Sequence, residues 1–183
     1  MKRALVLLLA LCACDPVEIV VGGIPLESDG GRPPPPRQCS NNVDCPPDLF
    51  CEKPDCNTLL GQCHPRPAFC PNELSPVCGC NGVNYWNDCL RRDHGVAAKA
   101  DGECTSATTC AAPVDCPGPG ASCALLVPAS SCTATPQGAC WVLPPTCPAG
   151  LAAVWAPCAG GACVDGCTAI RSGTAFSKQA SCP

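Results

Sequence analysis

The chain has little of what a conventional protein core needs. It carries three Trp, three Phe, one Tyr and one Met in 183 residues, and only 14% of its residues are charged. Seven aromatics cannot seed the packed interior of a single domain of this length, which excludes the large α/β enzyme folds. Two histidines provide no acid–base pair to serve a Ser or Cys nucleophile, so no catalytic residue is assigned, and the chain is read as a non-enzyme without a cofactor. A formal charge of −4 with no basic stripe removes the electrostatic footprint of nucleic-acid binding. The apolar run at 4–11 is eight residues long, against the roughly 20 that a membrane-spanning helix requires. No Cys-x-x-Cys pair occurs and exported thiols are oxidised, so no metal site is expected.

What the chain has instead is cysteine and proline, 22 and 23 residues respectively. About one residue in eight is Cys, above the roughly 8–10% that marks a disulfide scaffold. Bridges therefore stand in for a large core, and the expected fold class is small and disulfide-rich.

Lys2 and Arg3 ahead of the short apolar run read as an export signal. The following Leu11-Cys12-Ala13-Cys14 resembles the bacterial lipobox, in which a Cys behind a small residue is diacylated and becomes the mature N-terminus. The resemblance assigns 1–13 to a lipoprotein signal peptide and lipid attachment to Cys14. It implies an exported chain held by lipid to a membrane of the bacterial cell envelope, on its periplasmic or surface side. An ordinary secretory signal cleaved nearby is the other reading. With Cys12 removed and Cys14 lipidated, twenty cysteines remain, an even number that can all pair. Residues 14–38 then form a tether containing four consecutive prolines, extended at about 3.1 Å per residue; a Pro-rich ligand for an aromatic groove is the alternative.

The twenty cysteines divide into two blocks of ten, 39–104 and 110–182. Block one has spacers of 5, 5, 4, 6, 6, 7, 1, 8 and 14 residues, and block two 5, 6, 8, 7, 6, 10, 4, 3 and 14. Val43-Asp44-Cys45-Pro46 returns as Val114-Asp115-Cys116-Pro117, and Gly95 and Gly173 each fall six residues after a ninth cysteine. Such self-similarity predicts duplicated modules, with 105–183 a degenerate second ten-cysteine repeat of little regular structure. Block one carries nine acids and five bases, whereas 105–183 has only Asp115, Asp165, Arg171 and Lys178.

Within block one, Asn81-Gly82 is a hairpin-turn signal, predicting an antiparallel pair from 76–80 and 83–85. Asn87 is a good N-cap for a short helix over 88–94, Gly95 a left-handed stop, and 96–100 a returning edge strand. His94 falls where a helix dipole favours a cation, which outweighs a catalytic or metal role for it.

The stretch Cys70-Pro71-Asn72-Glu73-Leu74-Ser75-Pro76-Val77-Cys78-Gly79-Cys80-Asn81-Gly82-Val83-Asn84-Tyr85-Trp86-Asn87-Asp88-Cys89 resembles the Kazal-type serine protease inhibitor signature. The Cys-x7-Cys-x10-Cys spacing, Pro-Val-Cys-Gly, a turn glycine, a Tyr and an Asn just before the next Cys all agree, over 63–104. The resemblance implies a short antiparallel sheet with one short helix, and pairings Cys70–Cys89 and Cys78–Cys104. It departs at 90–92, Leu-Arg-Arg, where the family has a further Cys, and at Cys80, where Thr or Ser is usual. Cys39, Cys45, Cys51, Cys56, Cys63 and Cys80 are left with fifteen possible connectivities. A looser likeness, to the follistatin ten-cysteine domain, covers all of block one.

The resemblance also implies a mechanism. A stapled loop is bound by a serine protease as a substrate but turned over poorly, because it has already lost the freedom a flexible peptide loses on binding. Pro71, Asn72, Glu73 and Leu74 map onto that loop, with Asn72 as the primary specificity residue and Asn72–Glu73 as the bond addressed. Val77, Tyr85 and Asn87 map onto its supports. A short amide at Asn72 fits a subtilisin- or elastase-like protease better than a trypsin-like one. The other reading is a non-inhibitory binding or structural module. Between Cys147 and Cys167, block two lacks the Pro-Val-Cys-Gly, the Tyr and the Asn, and no reactive loop is expected there.

Overall fold

The computed structural model describes residues 37–132, 135–179 and 181–182. The signal segment 1–13, Cys14 and the tether up to residue 36 lie outside the described residues. No helix among those described is long and apolar enough to cross a membrane.

Block one opens with a three-stranded antiparallel sheet of β1 (Gln38–Cys39), β2 (Leu49–Glu52) and β3 (Gly61–Pro65) in the order β1-β3-β2. Gln38, expected to end the tether, belongs to this sheet and pairs with Gln62, and Arg37 O just before it accepts from Cys63 N at 2.8 Å. A 3-10 turn over Asn42–Asp44 joins β1 to β2, closed by Asp44 Oδ2 accepting from Ser40 N and Asn41 N. Gly61 pairs with Cys39, and a Cβ there would lie 2.2 Å from Glu52 O, so β3 passes β2 too closely for any side chain.

Downstream lie β4 (Val77–Gly79), β5 (Asn84–Tyr85), α1 (Asp88–Asp93) and β6 (Ala98–Asp101). β4 pairs antiparallel with both β5 and β6. Gly82, at φ +76, makes the turn between β4 and β5. Asn87 Oδ1 accepts from Leu90 N and caps α1, while Gly95, at φ +64, ends it.

Block two repeats the order of its opening elements. A sheet of β7 (Thr109–Cys110), β8 (Ala121–Ala124) and, after β9 (Leu126–Val127), β10 (Gly138–Val142) has the order β7-β10-β8. Cys110 faces Gly138 as Cys39 faces Gly61, and Cys123 faces Cys140 as Cys51 faces Cys63. A Cβ on Gly138 would lie 2.2 Å from Ala124 O, the same obstruction as at Gly61. A second 3-10 turn over Pro113–Asp115 is closed by Asp115 Oδ2 accepting from Ala111 N and Ala112 N. Beyond it come β11 (Trp155–Pro157), α2 (Gly166–Ser172) and β12 (Phe176–Lys178), with β12 between β11 and β9.

Ten bridges hold the described chain together. Block one contains Cys39–Cys51, Cys45–Cys63, Cys56–Cys80, Cys70–Cys89 and Cys78–Cys104. Block two contains Cys110–Cys123, Cys116–Cys140, Cys132–Cys158, Cys147–Cys167 and Cys163–Cys182. The fold is therefore disulfide-rich, with small sheets, few helices and little regular structure. So many bridges mark an exported chain, because the cytosol keeps thiols reduced.

The blocks share no bridge but share a core. β5 pairs in parallel with β10, Asn84 with Trp141 and Tyr85 with Val142. Val83, Tyr85, Trp86 and Leu90 of block one pack with Leu125, Trp141, Val142 and Ile170 of block two. Block one also keeps a small cluster of its own, Cys39, Cys45, Cys51 and Cys63 with Leu49 packed against it.

Candidate functional site

Residues 71–75 run exposed across the surface between two staples. Cys70 is tied to Cys89 at the start of α1, and Cys78, in β4, to Cys104. Between them the loop backbone is held from below by Trp86 and Asn87. Asn87, 5% exposed, uses both ends of its amide. Its oxygen caps α1, and Nδ2 donates to Pro71 O at 2.8 Å and to Glu73 O at 3.0 Å. The carbonyl between them, that of Asn72, accepts from Trp86 Nε1 at 2.9 Å. Ser75 N donates to Trp86 O at 3.0 Å and closes the far side. Three consecutive carbonyls are thus satisfied by two buried side chains that the helix and β5 hold in place.

The tips of the loop side chains remain outward. Asn72 and Glu73 are exposed and Leu74 is 47% exposed. Asn72 also reaches block two, where its Nδ2 lies 3.4 Å from Thr146 Oγ1.

Val77 is buried in β4 and pairs with Tyr85 and Asp101. Tyr85 is buried as well; its hydroxyl accepts from Asn81 Nδ2 at 3.0 Å and its ring lies 5.8 Å from that of His94. Burial pushes the Tyr85 phenol above its ordinary range. His94 caps the end of α1 as expected; burial, helped by the Arg66 charge, outweighs the Asp93 carboxylate and holds its imidazole below the ordinary range.

Where the family pattern has a cysteine shortly after Cys89, the chain has Arg91, 4% exposed. Its guanidinium donates to Glu52 at 3.0 and 3.2 Å, to Asp88 at 2.7 Å and to Val96 O. An ion pair thus ties α1 to β2, while the relocated cysteine, Cys80, is bonded to Cys56.

Trp86, Thr146 and Arg91 were not singled out by the sequence reading. Trp86 carried a signal all the same, since a buried indole N–H requires an acceptor and the loop carbonyls are within a few residues' reach. Thr146 carried none, because its approach depends on how block two packs.

In block two, Asp165 stands two residues before Cys167 as Asn87 stands before Cys89. It caps α2 through Thr168 N at 3.0 Å and holds the Thr168 hydroxyl at 2.7 Å. Burial works to raise its carboxyl, but the Thr168 hydroxyl and the backbone N–H groups outweigh it and hold it below the ordinary range. An ionised carboxylate has no hydrogen to donate, so Asp165 cannot hold loop carbonyls as Asn87 does. Arg171 of α2 instead donates to Pro144 O and, at 3.0 Å, to Pro145 O.

Three groups of three possible metal ligands lie within 4.8 Å, but every cysteine in them is bridged and has no thiolate to offer. None of the curated proteins matches the chain. The stapled loop, its asparagine support and the sheet beneath it do fall inside a recognised segment: residues 51–104 match the family model of the Kazal-type serine protease inhibitor domain, and this part of the chain is a Kazal-type domain.

Proposed function

We propose that the protein is an exported, lipid-anchored inhibitor of serine proteases that presents 71–74 as a substrate-like loop, with Asn72 at the primary specificity position. The observation that carries this reading is the Asn87 amide, which holds Pro71 O and Glu73 O on either side of an exposed Asn72. Two bridges and these hydrogen bonds restrict the loop before any protease arrives, and restricted freedom appears as affinity. The family supports a serine protease partner in general. Asn72 narrows the choice: it offers no cation to the buried carboxylate of a trypsin-like pocket, which costs about 1–3 kcal/mol. Subtilisin- and elastase-like proteases are therefore the preferred targets. Cys14 supplies the anchor and the Pro-rich segment the reach.

Inhibition profiling of the chain against subtilisin, elastase, chymotrypsin and trypsin tests the reading. Inhibition of the first two and not of trypsin is expected, and Asn72→Arg should create trypsin inhibition. If trypsin cuts Asn72→Arg as an ordinary substrate, the loop is not preorganised and the inhibitor reading fails. Anchoring is tested separately: the protein should partition into detergent and its Cys14→Ser variant should not, and equal partitioning removes the lipid.

The second reading, a non-inhibitory binding module, is favoured by one observation. The Asn72 carbonyl is already engaged by Trp86, and the Asn72 side chain by Thr146. Absence of inhibition across all four protease classes would select it.

A further inference from the structure

For a serine protease to attack the Asn72–Glu73 bond, the Asn72 carbonyl oxygen must enter the oxyanion hole and accept its N–H donors. That oxygen instead accepts from Trp86 Nε1 at 2.9 Å. The neighbouring carbonyls, those of Pro71 and Glu73, are the ones Asn87 holds, so all three carbonyls around the bond are engaged from within the chain.

The indole is fixed from the other block. Trp86 is 2% exposed, its ring meets Trp141 edge-on at 6.3 Å, and its backbone N–H donates to Val142 O at 3.0 Å. Thr146, four residues beyond Val142, is the group that Asn72 Nδ2 approaches. Block two, which has Asp165 where block one has its spacer asparagine, thus supplies the wall against which Trp86 is set.

We infer that Trp86 is a positioning residue that latches the loop: block two holds its indole on the Asn72 carbonyl, and a protease engages the Asn72–Glu73 bond only after that hydrogen bond is broken. The inference rests on the inhibitor reading for the identity of the bond. Breaking the contact strands a buried N–H, so removing that N–H beforehand should speed engagement by about tenfold. Asn87 is untouched by the change and keeps its grip on the flanking carbonyls, so dissociation of a formed complex should stay the same.

The test uses the full exported chain and its Trp86→Phe variant with subtilisin, following complex formation by stopped assay and cleavage at Asn72–Glu73 by mass spectrometry. The total rate of engagement at this bond should rise about tenfold in Trp86→Phe, with thermal stability and dissociation rate measured alongside. An equal or lower rate overturns the latch, as does a change confined to dissociation, or a bond untouched in both proteins. The inhibitor reading fails by a different sign, turnover of both proteins without a lasting complex, in which case the ratio of cleavage rates still reads the latch. Should Trp86→Phe not fold, hydrogen exchange of the Trp86 indole N–H in the unaltered protein decides. Strong protection is expected, and exchange at the rate of a free indole overturns the latch.

Discussion

At the start of α1 stands Asn87 and at the start of α2 stands Asp165, each two residues ahead of a bridged cysteine and each capping its helix. As caps the two side chains are equivalent, since either oxygen can accept from the third helical N–H. They differ in what the other end of the side chain does. The amide of Asn87 has two hydrogens left over and spends them on Pro71 O and Glu73 O; the carboxylate of Asp165 has none and takes the Thr168 hydroxyl. Block one therefore has loop carbonyls held by Asn87 together with Trp86, whereas in block two Arg171, and not the capping Asp165, holds the carbonyls of Pro144 and Pro145.

The bridges tell a related story. In both blocks the first cysteine joins the third, the second the fifth and the sixth the ninth. The remaining pairs exchange partners: the fourth cysteine takes the eighth in block one, Cys56–Cys80, and the seventh in block two, Cys132–Cys158. Cys78 and Cys80 flank a single glycine, so the exchange leaves Cys78 free to anchor the loop end to Cys104.

The largest way to break the comparison is through that exchanged bridge. Cys56→Ser with Cys80→Ser should cost about 2–5 kcal/mol of stability, read as a lowered Tm. Peptide mapping of the unreduced protein decides the pairing itself, and finding Cys56–Cys78 with Cys80–Cys104 would erase the difference between the blocks.

A second change makes one block imitate the other. Asn87→Asp keeps the helix cap and removes two hydrogen bonds of about 0.5–1.5 kcal/mol each, so inhibition of a susceptible protease should weaken by roughly 5- to 150-fold, and Tm should fall as well because both bonds are made in the free protein. An unchanged inhibition constant would show that the loop does not depend on this support.

The smallest effect sharpens the likeness of the two 3-10 turns. Asp44 is held below the ordinary aspartate range by the Ser40 hydroxyl and then by the N–H groups of Ser40 and Asn41. Asp115 is held down by the N–H groups of Ala111 and Ala112. A depressed folded pKa means that each turn is fully supported above the unfolded value and loses that support as pH falls through the folded one. The amide protons of Ser40, Asn41, Ala111 and Ala112 should therefore titrate with midpoints below the ordinary value of about 3.9. An NMR midpoint at or above that value in either block would break the equivalence.

Much of the loop was legible in the sequence because its determinants are local. The Cys70–Cys89 spacing, the Asn81-Gly82 turn and Asn87 as cap act within about twenty residues, and each residue type has a steric or hydrogen-bonding reason to be where it is. Arg91 was not legible, because its partner Glu52 lies 39 positions away and an ion pair leaves no spacing to read. The place of His94 at the end of α1 was legible beside Gly95, but its approach to the Tyr85 ring, 5.8 Å away, was not.

The sequence by itself determined that bridges replace a large core and that the cysteines fall into two blocks of ten, which follow from composition, parity and spacing and need no knowledge of what packs on what; that 71–74 is the stretch to examine came from the resemblance to the Kazal signature. Only the tertiary structure decided that the blocks share a sheet and a core, that Trp86 sits between them with its N–H on the Asn72 carbonyl, and that Thr146 stands beside Asn72. Those contacts join residues that are strangers along the chain, brought together because Trp86 and Trp141 leave water by packing against each other across the two blocks.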